Sequence, residues 1–185
     1  RKLLEVRIKA DAEQEYVDFG TKKVEEMTAE QIKEALLAAG LWPAINQRPY
    51  GIIANPEVKP KAIFVSAFNT APLAANPEYA LRDEFEHIQT AINALGKLTD
   101  GGVHFSLNSV TYSGTPFHKI ENVIPHVFTG KHPAGNVGVQ IHHISPIRKG
   151  ETVWTVSLLM LAAIGKLFNT GKYDLKRKIA VTGPK

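Results

Sequence analysis

The sequence predicts an α/β fold, a three-layer sandwich around a mostly parallel sheet. Three observations carry this. Lys61-Ala62-Ile63-Phe64-Val65-Ser66-Ala67-Phe68 is a short apolar run bounded by turn formers, the signature of a strand buried on both faces. The following stretch places Leu81, Phe85, Ile88, Ile92 and Leu95 on one helical face, at steps of four and three. A second apolar run then begins at Val103, after Thr99-Asp100-Gly101-Gly102, so the unit reads as strand, crossover helix and parallel strand. Ligands of such sheets bind beyond the carboxyl ends of the strands. Asn69 to Ala75, the loop leaving the first of these strands, is therefore the first place to look for function.

The 185 residues suffice for one ordinary domain, or one domain with a fragment of another. Chains of this size bury roughly 70% of their unfolded surface, so no staples are needed. The absence of cysteine excludes disulfides, thiolate metal sites and a thiol nucleophile. The net charge of +4 comes from 22 basic and 18 acidic residues. They form no basic stripe with interleaved aromatics, so nucleic acid is not an expected partner. The tightest basic cluster, Lys172 to Lys178, reads as solvated surface or a membrane or partner contact. No run reaches the ~20 apolar residues of a membrane span. Arg1 opens in the middle of a strand-like pattern, so the chain reads as an internal piece of a longer protein.

In order, Leu3 to Ile8 alternates like a half-exposed strand, and Asp11 to Lys23 is polar like a linker. Residues 1–20 are thus assigned to a preceding domain and its linker, and 21–185 to the α/β domain. Thr28-Ala29-Glu30-Gln31 is a capping-box pattern opening a helix through Ile32, Ala35, Leu36 and Ala39. Gly40 stands where a left-handed cap is wanted, with Leu41 to supply the apolar contact. Trp42 to Gly51 has little periodicity and reads as a loop. Asn76 and Pro77 are an N-cap and a first helical residue. Val103 to Leu107 is a second strand, and Asn122 to Phe128 a third, whose Pro125 marks an edge or bulge. Val139 to Ile144 is helical and Glu151 to Val156 a fourth strand. Ser157 caps a helix through Phe168 whose first turns are apolar nearly all round, with Gly165 allowing a close approach. Lys178 to Gly183 reads as a last strand.

Two stretches are candidate sites. Trp42, Arg48, Pro49 and Tyr50 share the irregular loop. The plain reading is a loop covering the core edge; the sharper one is a flat aromatic slot for a planar ring, anchored by Arg48. Gly130 to Gly138 is glycine-spaced before a helix, so Gly130, His132 and Gly135 could form an anion loop. It is not a P-loop, because Gly135-Asn136-Val137 stands where Gly-Lys-Ser/Thr is required, and no G-x-G-x-x-G occurs. The seven histidines show no ligand spacing, and His142-His143 adjoin and diverge on a helix, so no metal is expected. Ser66 and Ser157 lack a nucleophile-elbow context, and no residue is assigned a catalytic role.

Several motifs, taken together, carry a resemblance. These are Gly40-Leu41-Trp42 with Arg48-Pro49-Tyr50, Lys61 to Val65 with Asn69 to Ala75, and Leu98 to Gly101. His132-Pro133-Ala134-Gly135, His142, Pro146, Ile164 to Phe168, Thr170-Gly171 and Gly183-Pro184 continue it. In this order they resemble the A subunits of the bacterial Na+-translocating NADH:quinone oxidoreductases, over most of Thr28 to Pro184. The match is thin from Val110 to Asn122, and Gly130-Lys131-His132-Pro133 replaces the family's Gly-Pro-His-Pro. The resemblance implies a Rossmann-like middle domain related to the flavin-binding fold of the complex I NADH-oxidising subunit, without a flavin of its own. It implies a lipoyl-like domain ahead, to which Leu3 to Ile8 would belong. It also implies a place in a complex that oxidises NADH, reduces ubiquinone and expels Na+, with flavins and the iron–sulfur centre in other subunits. The protein would lie on the cytoplasmic face of the bacterial inner membrane, docked on an integral-membrane partner. Quinone would be the ligand of the Trp42-to-Tyr50 slot. Two other classes stay open: a pure interaction module, and an autonomous nucleotide-binding domain using Gly130 to Gly138.

Overall fold

Thr28 opens the first helix as its sequence predicts. In the computed structural model, which describes residues 3–9, 11–13, 15–110, 114, 116–173, 178, 181 and 183, its hydroxyl accepts from the Gln31 amide. The Gln31 side chain accepts in return from the Thr28 amide, at 2.9 Å. Helix α1 (Ala29–Ala38) ends on Gly40 at φ 70°, with Leu41 N–H donating to Leu36 O and Gly40 N–H to Leu37 O. This reciprocal closure satisfies carbonyls the helix end leaves free.

Six strands follow: β1 (Ile45–Arg48), β2 (Ile52–Ile53), β3 (Ile63–Ser66), β4 (Val103–Asn108), β5 (Ile124–Phe128) and β6 (Val153–Val156). Their order is β2-β1-β6-β3-β4-β5. β6, β3, β4 and β5 run parallel, while β1 pairs antiparallel with both β6 and β2. The helices are α2 (Pro77–Ala80), α3 (Phe85–Gly96), α4 (Val137–Ile144) and α5 (Leu158–Thr170).

Alternation along the strands sorts the core. Ile63, Val65, Phe105 and Trp154 point to one face and pack with Ile32, Leu36, Ile88, Ile92, Leu95, Ile164 and Phe168 from α1, α3 and α5. Phe64 and Val153 point to the other, where Ile141 of α4 covers them in a small separate cluster. Two glycines fix close approaches. A Cβ on Gly165 of α5 would run into the backbone carbonyl of His87 on α3, and one on Gly101 into the carbonyl of Lys61. The sequence expects the first; the second explains why a glycine stands between α3 and β4.

Pro125 lies on an edge strand, as expected. Ser109 N–H donates to Phe128 O, so Phe128 faces β4. By alternation, Pro125 then faces the open edge, where its missing N–H disturbs no ladder.

Four expectations need correction. Leu3 to Ile8 belongs to no strand; among the described residues it finds no ladder, and its apolar side chains stand exposed. Trp42 to Gly51 is not an irregular loop: Trp42–Ala44 is a 3-10 turn, and β1 and β2 form a hairpin. β1 gains its ladder from β6, a long-range pairing that local periodicity does not announce. The helix from Pro77 breaks at Leu81, which leaves helical geometry and is buried, before α3 starts at Phe85. Finally, the stretch read as a linker is anchored at its end: Phe19 N–H donates to Gly171 O, and Lys22 N–H to Phe168 O. The last expected strand, Lys178 to Gly183, lies outside the described residues at Ile179, Ala180 and Thr182, as does most of Lys172 to Lys178.

Candidate functional site

From β3 the chain passes through α3 to β4 and β5, then returns through α4 to β6 on the opposite side of β3. The carboxyl ends of β3 and β6 therefore flank a topological switch point. An open cavity of about 640 Å3 lies there. Its polar lining includes Asn46 and Arg48 of β1, Ser66 and Asn69 from the end of β3, and Ser157; Val137, Val139, Val156 and Leu158 are apolar. Both α4 and α5 start at its rim.

Arg48 is the site's most distinctive side chain. Its Nε is buried and finds no hydrogen-bond partner among the described residues. Such a donor lacks a partner that its burial calls for. The other residues of the expected aromatic slot separate. Trp42 is buried, with Nε1 donating to Ala54 O at 2.7 Å and its ring edge-on to Trp154 at 5.5 Å and 87°. Tyr50 is 80% exposed at the hairpin turn beside Pro49. Trp42 thus takes the plain role of core cover, and no slot forms between the two rings. The physical reason is the hairpin, which folds the Trp42 ring inward and turns Tyr50 outward.

Of the three residues read as an anion loop, only Gly135 reaches the cavity. Its amide donates to Thr70 Oγ1 at 2.9 Å, and a Cβ on it would meet the Thr70 backbone amide at 2.6 Å. Thr70 Oγ1 also lies 3.3 Å from His132 Nδ1. The Gly130-to-Gly138 stretch is thereby sealed onto the loop after β3. The Gly135 amide serves the protein and does not offer itself to a phosphate. Gly130 and His132 stand outside the cavity.

Sequence reasoning missed Gln140. It is fully buried in α4, with Nε2 donating to Ser66 Oγ at 2.9 Å and to Ala134 O at 3.0 Å. The Ser66 hydroxyl in turn faces the carbonyls of Phe68 and Gly135. A lone amide in the apolar run Val137 to Ile144 was the available signal. Asn136 precedes α4 without making a cap hydrogen bond, and it too lines the cavity.

Two histidines far apart in sequence also meet. His104 Nδ1 and His126 Nε2 are 2.8 Å apart on the α4 side of the sheet. Burial, and then the facing His126, hold His104 below the usual imidazole range; burial does the same for His126. Among the described residues no group of three or more His, Cys, Asp or Glu side chains could hold a metal ion. No helix among them is long and apolar enough to cross a membrane.

Residues 27–173 match the family described as the NqrA second alpha/beta domain. The chain belongs to the A-subunit family of Na+-translocating NADH-quinone reductases. It is 34% identical over 179 residues to a Pseudomonas aeruginosa PAO1 protein named as the A subunit of the Na+-translocating NADH-quinone reductase, covering 97% of this chain and 39% of that protein. The same-named protein of Histophilus somni strain 2336 is 33% identical, with 97% and 40% covered. The chain thus spans about two fifths of the length of these relatives. Among solved structures, a chain of an NAD+-reducing [NiFe]-hydrogenase superposes with a TM-score of 0.47 at 13% identity, covering 80% of this chain and 32% of that one.

Proposed function

We propose that this chain is a non-redox domain of the A subunit in a Na+-translocating NADH-quinone reductase, and that its switch-point cavity meets the quinone headgroup. The observation that carries the reading is the unpartnered Arg48 Nε beside a cavity with apolar walls. A quinone is flat and uncharged, with carbonyl oxygens that accept and nothing that donates. Arg48, with Asn46 and Asn69 beside it, supplies donors for an oxygen; Val137, Val139, Val156 and Leu158 supply the surface for a ring. The hairpin turn with Pro49 and Tyr50 then meets a neighbouring subunit, the integral-membrane one on the cytoplasmic face of the bacterial inner membrane.

A flavin or dinucleotide does not suit the same place. A phosphate wants several free backbone amides at a helix start. Here the Gly135 amide is held by Thr70, and the loop is closed against β3, so a phosphate would have to rely on the uncapped start of the short helix α4. NADH oxidation, the flavins and the iron–sulfur centre are accordingly assigned to other subunits. Calorimetry of the chain with NADH and with FMN is expected to give no heat of binding.

Photolabelling the intact complex with a reactive quinone analogue tests the main reading. Label is expected on peptides covering residues 46–51 or 135–139. Arg48→Gln, which removes one buried donor, is expected to weaken it about fivefold to tenfold, the worth of a single hydrogen bond. Label that never falls in either segment refutes the assignment. A second reading, a pure interaction module, is favoured by Ile52 and Ile53, both more than half exposed on the β2 edge. It predicts that the isolated domain self-associates while the full-length protein does not.

A further inference from the structure

We propose that His104 and His126 form a proton-responsive clasp on strand β5, closed while the pair carries at most one extra proton and open when both rings are charged. Because the chain leaving β5 becomes the Gly135 wall of the cavity, the clasp would regulate that site; this consequence rests on the functional reading above.

The geometry defines the clasp. The ring centroids lie 5.1 Å apart and the planes differ by 19°. With the facing nitrogens 2.8 Å apart, that centroid distance places both nitrogens on the line between ring centres. The rings therefore meet edge to edge, through one in-plane N–H···N bond, and do not overlap face to face. One ring must donate and the other accept, so their tautomers are complementary. Phe64 stacks on the face of His104 at 4.5 Å and 8°, which fixes the ring's plane and keeps water from that side.

The clasp sits where it can matter. Among the described residues β5 is an edge strand, with β4 as its only ladder partner. His126 lies on β5 in register with Ser106 of β4, and His104 on β4 opposite Ile124 of β5. Beyond Phe128 the chain runs through Gly130 and His132 to Gly135. Among the described residues no second strand holds this segment; Thr70 holds it through Gly135 and His132, Ser66 through the Gly135 carbonyl and Gln140 through the Ala134 carbonyl.

Protonation acts in two steps. A first proton turns one ring into an imidazolium that donates to the other, so the bond persists in a charge-assisted form. A second proton leaves two donors and two like charges edge to edge, and the bond is lost. The surroundings offer no relief. β3 presents Phe64 to the pair, and α4 presents Ile141 and Gln140 to the sheet, none of them ionisable. No carboxylate or cation among the described residues contributes to either ring's shift, and both shifts are downward. The unfolded chain therefore takes up protons first as pH falls past ~6.5. The clasp's stabilisation is complete above that value and is lost as pH falls through the lower values of the folded rings.

Hydrogen exchange of the full-length protein between pH 7.5 and 5, corrected for intrinsic rates, tests this. Peptides spanning residues 124–136 are expected to exchange about tenfold faster at the acid end, the effect of losing one hydrogen bond. His126→Asn should exchange faster at pH 7.5 and lose the extra acid dependence. Equal acid dependence in wild type and variant overturns the clasp. Should the variant fail to fold, imidazole NMR of the wild type decides: two coupled steps below the ordinary value support it, and two independent ordinary titrations refute it. Neither readout involves quinone. A pH-dependent clasp with no photolabel near Arg48 would leave the clasp standing and overturn the functional reading alone.

Discussion

The two faces of the sheet are built to different standards. On one, α1, α3 and α5 bury a continuous apolar core in which α5 lies against the backbone of α3. On the other, a single short helix covers Phe64 and Val153, and the face also carries the polar side chains of Arg48, Ser66, His104 and His126. Apolar burial holds the domain together mainly from the first face. An unpartnered donor is not peculiar to the second face, since among the described residues the Trp154 indole N–H also lacks a partner in the first-face core; the titrating rings are, and they are tolerated there because folding depends on that face less.

Glycines give the widest test of this contrast. Gly165→Ala forces a Cβ into the His87 carbonyl, where only backbone could give way. A loss exceeding about 3 kcal/mol in denaturant unfolding is expected, or failure to fold. Gly138, in α4 on the other face, has open space where a Cβ would go. Gly138→Ala should be neutral or stabilise by up to about 1 kcal/mol through helix propensity. Similar losses at both sites would erase the distinction between the faces. Next in size is Trp42→Ala, which leaves a void beside Trp154 and strands the Ala54 carbonyl. Loss of about 3–5 kcal/mol is expected. Quinone labelling in molecules that stay folded should persist, since Trp42 does not line the cavity.

Much of the first face was legible in the sequence. The capping box at Thr28, the left-handed Gly40 and the Ser157 cap all act over a few residues, so local spacing reveals them; Gly165 was legible as a glycine inside an apolar helix, though the His87 backbone it approaches was not. The second face is assembled from distant segments. Arg48 shares a cavity with Asn69 and Ser157, and His104 meets His126, only because the β1–β6, β3–β6 and β4–β5 ladders bring these segments together. Aromatic content paired Arg48 with Trp42, which the structure separates from the cavity that Arg48 lines. Trp42 has the apolar bulk to enter the core, and its indole N–H finds a carbonyl there. The anion loop likewise had suitable glycines, but the threonine that occupies its amide lies 65 residues away in sequence.

The smallest expected effect separates the starts of the two helices at the cavity. Both α4 and α5 follow a good capping residue, Asn136 and Ser157. Only Ser157 caps, accepting from the Met160 amide; Asn136 makes no such bond. Ser157→Ala should therefore lose about 1 kcal/mol in denaturant unfolding, and Asn136→Ala less than about 0.5 kcal/mol. A helix whose cap residue leaves its own amides unserved has a side chain to turn elsewhere, and Asn136 lines the cavity. If Asn136→Ala leaves stability unchanged but weakens quinone labelling, the asparagine belongs with Arg48 in the site. If it costs as much stability as Ser157→Ala, Asn136 caps α4 in solution, and the second face has one fewer polar group free for a ligand.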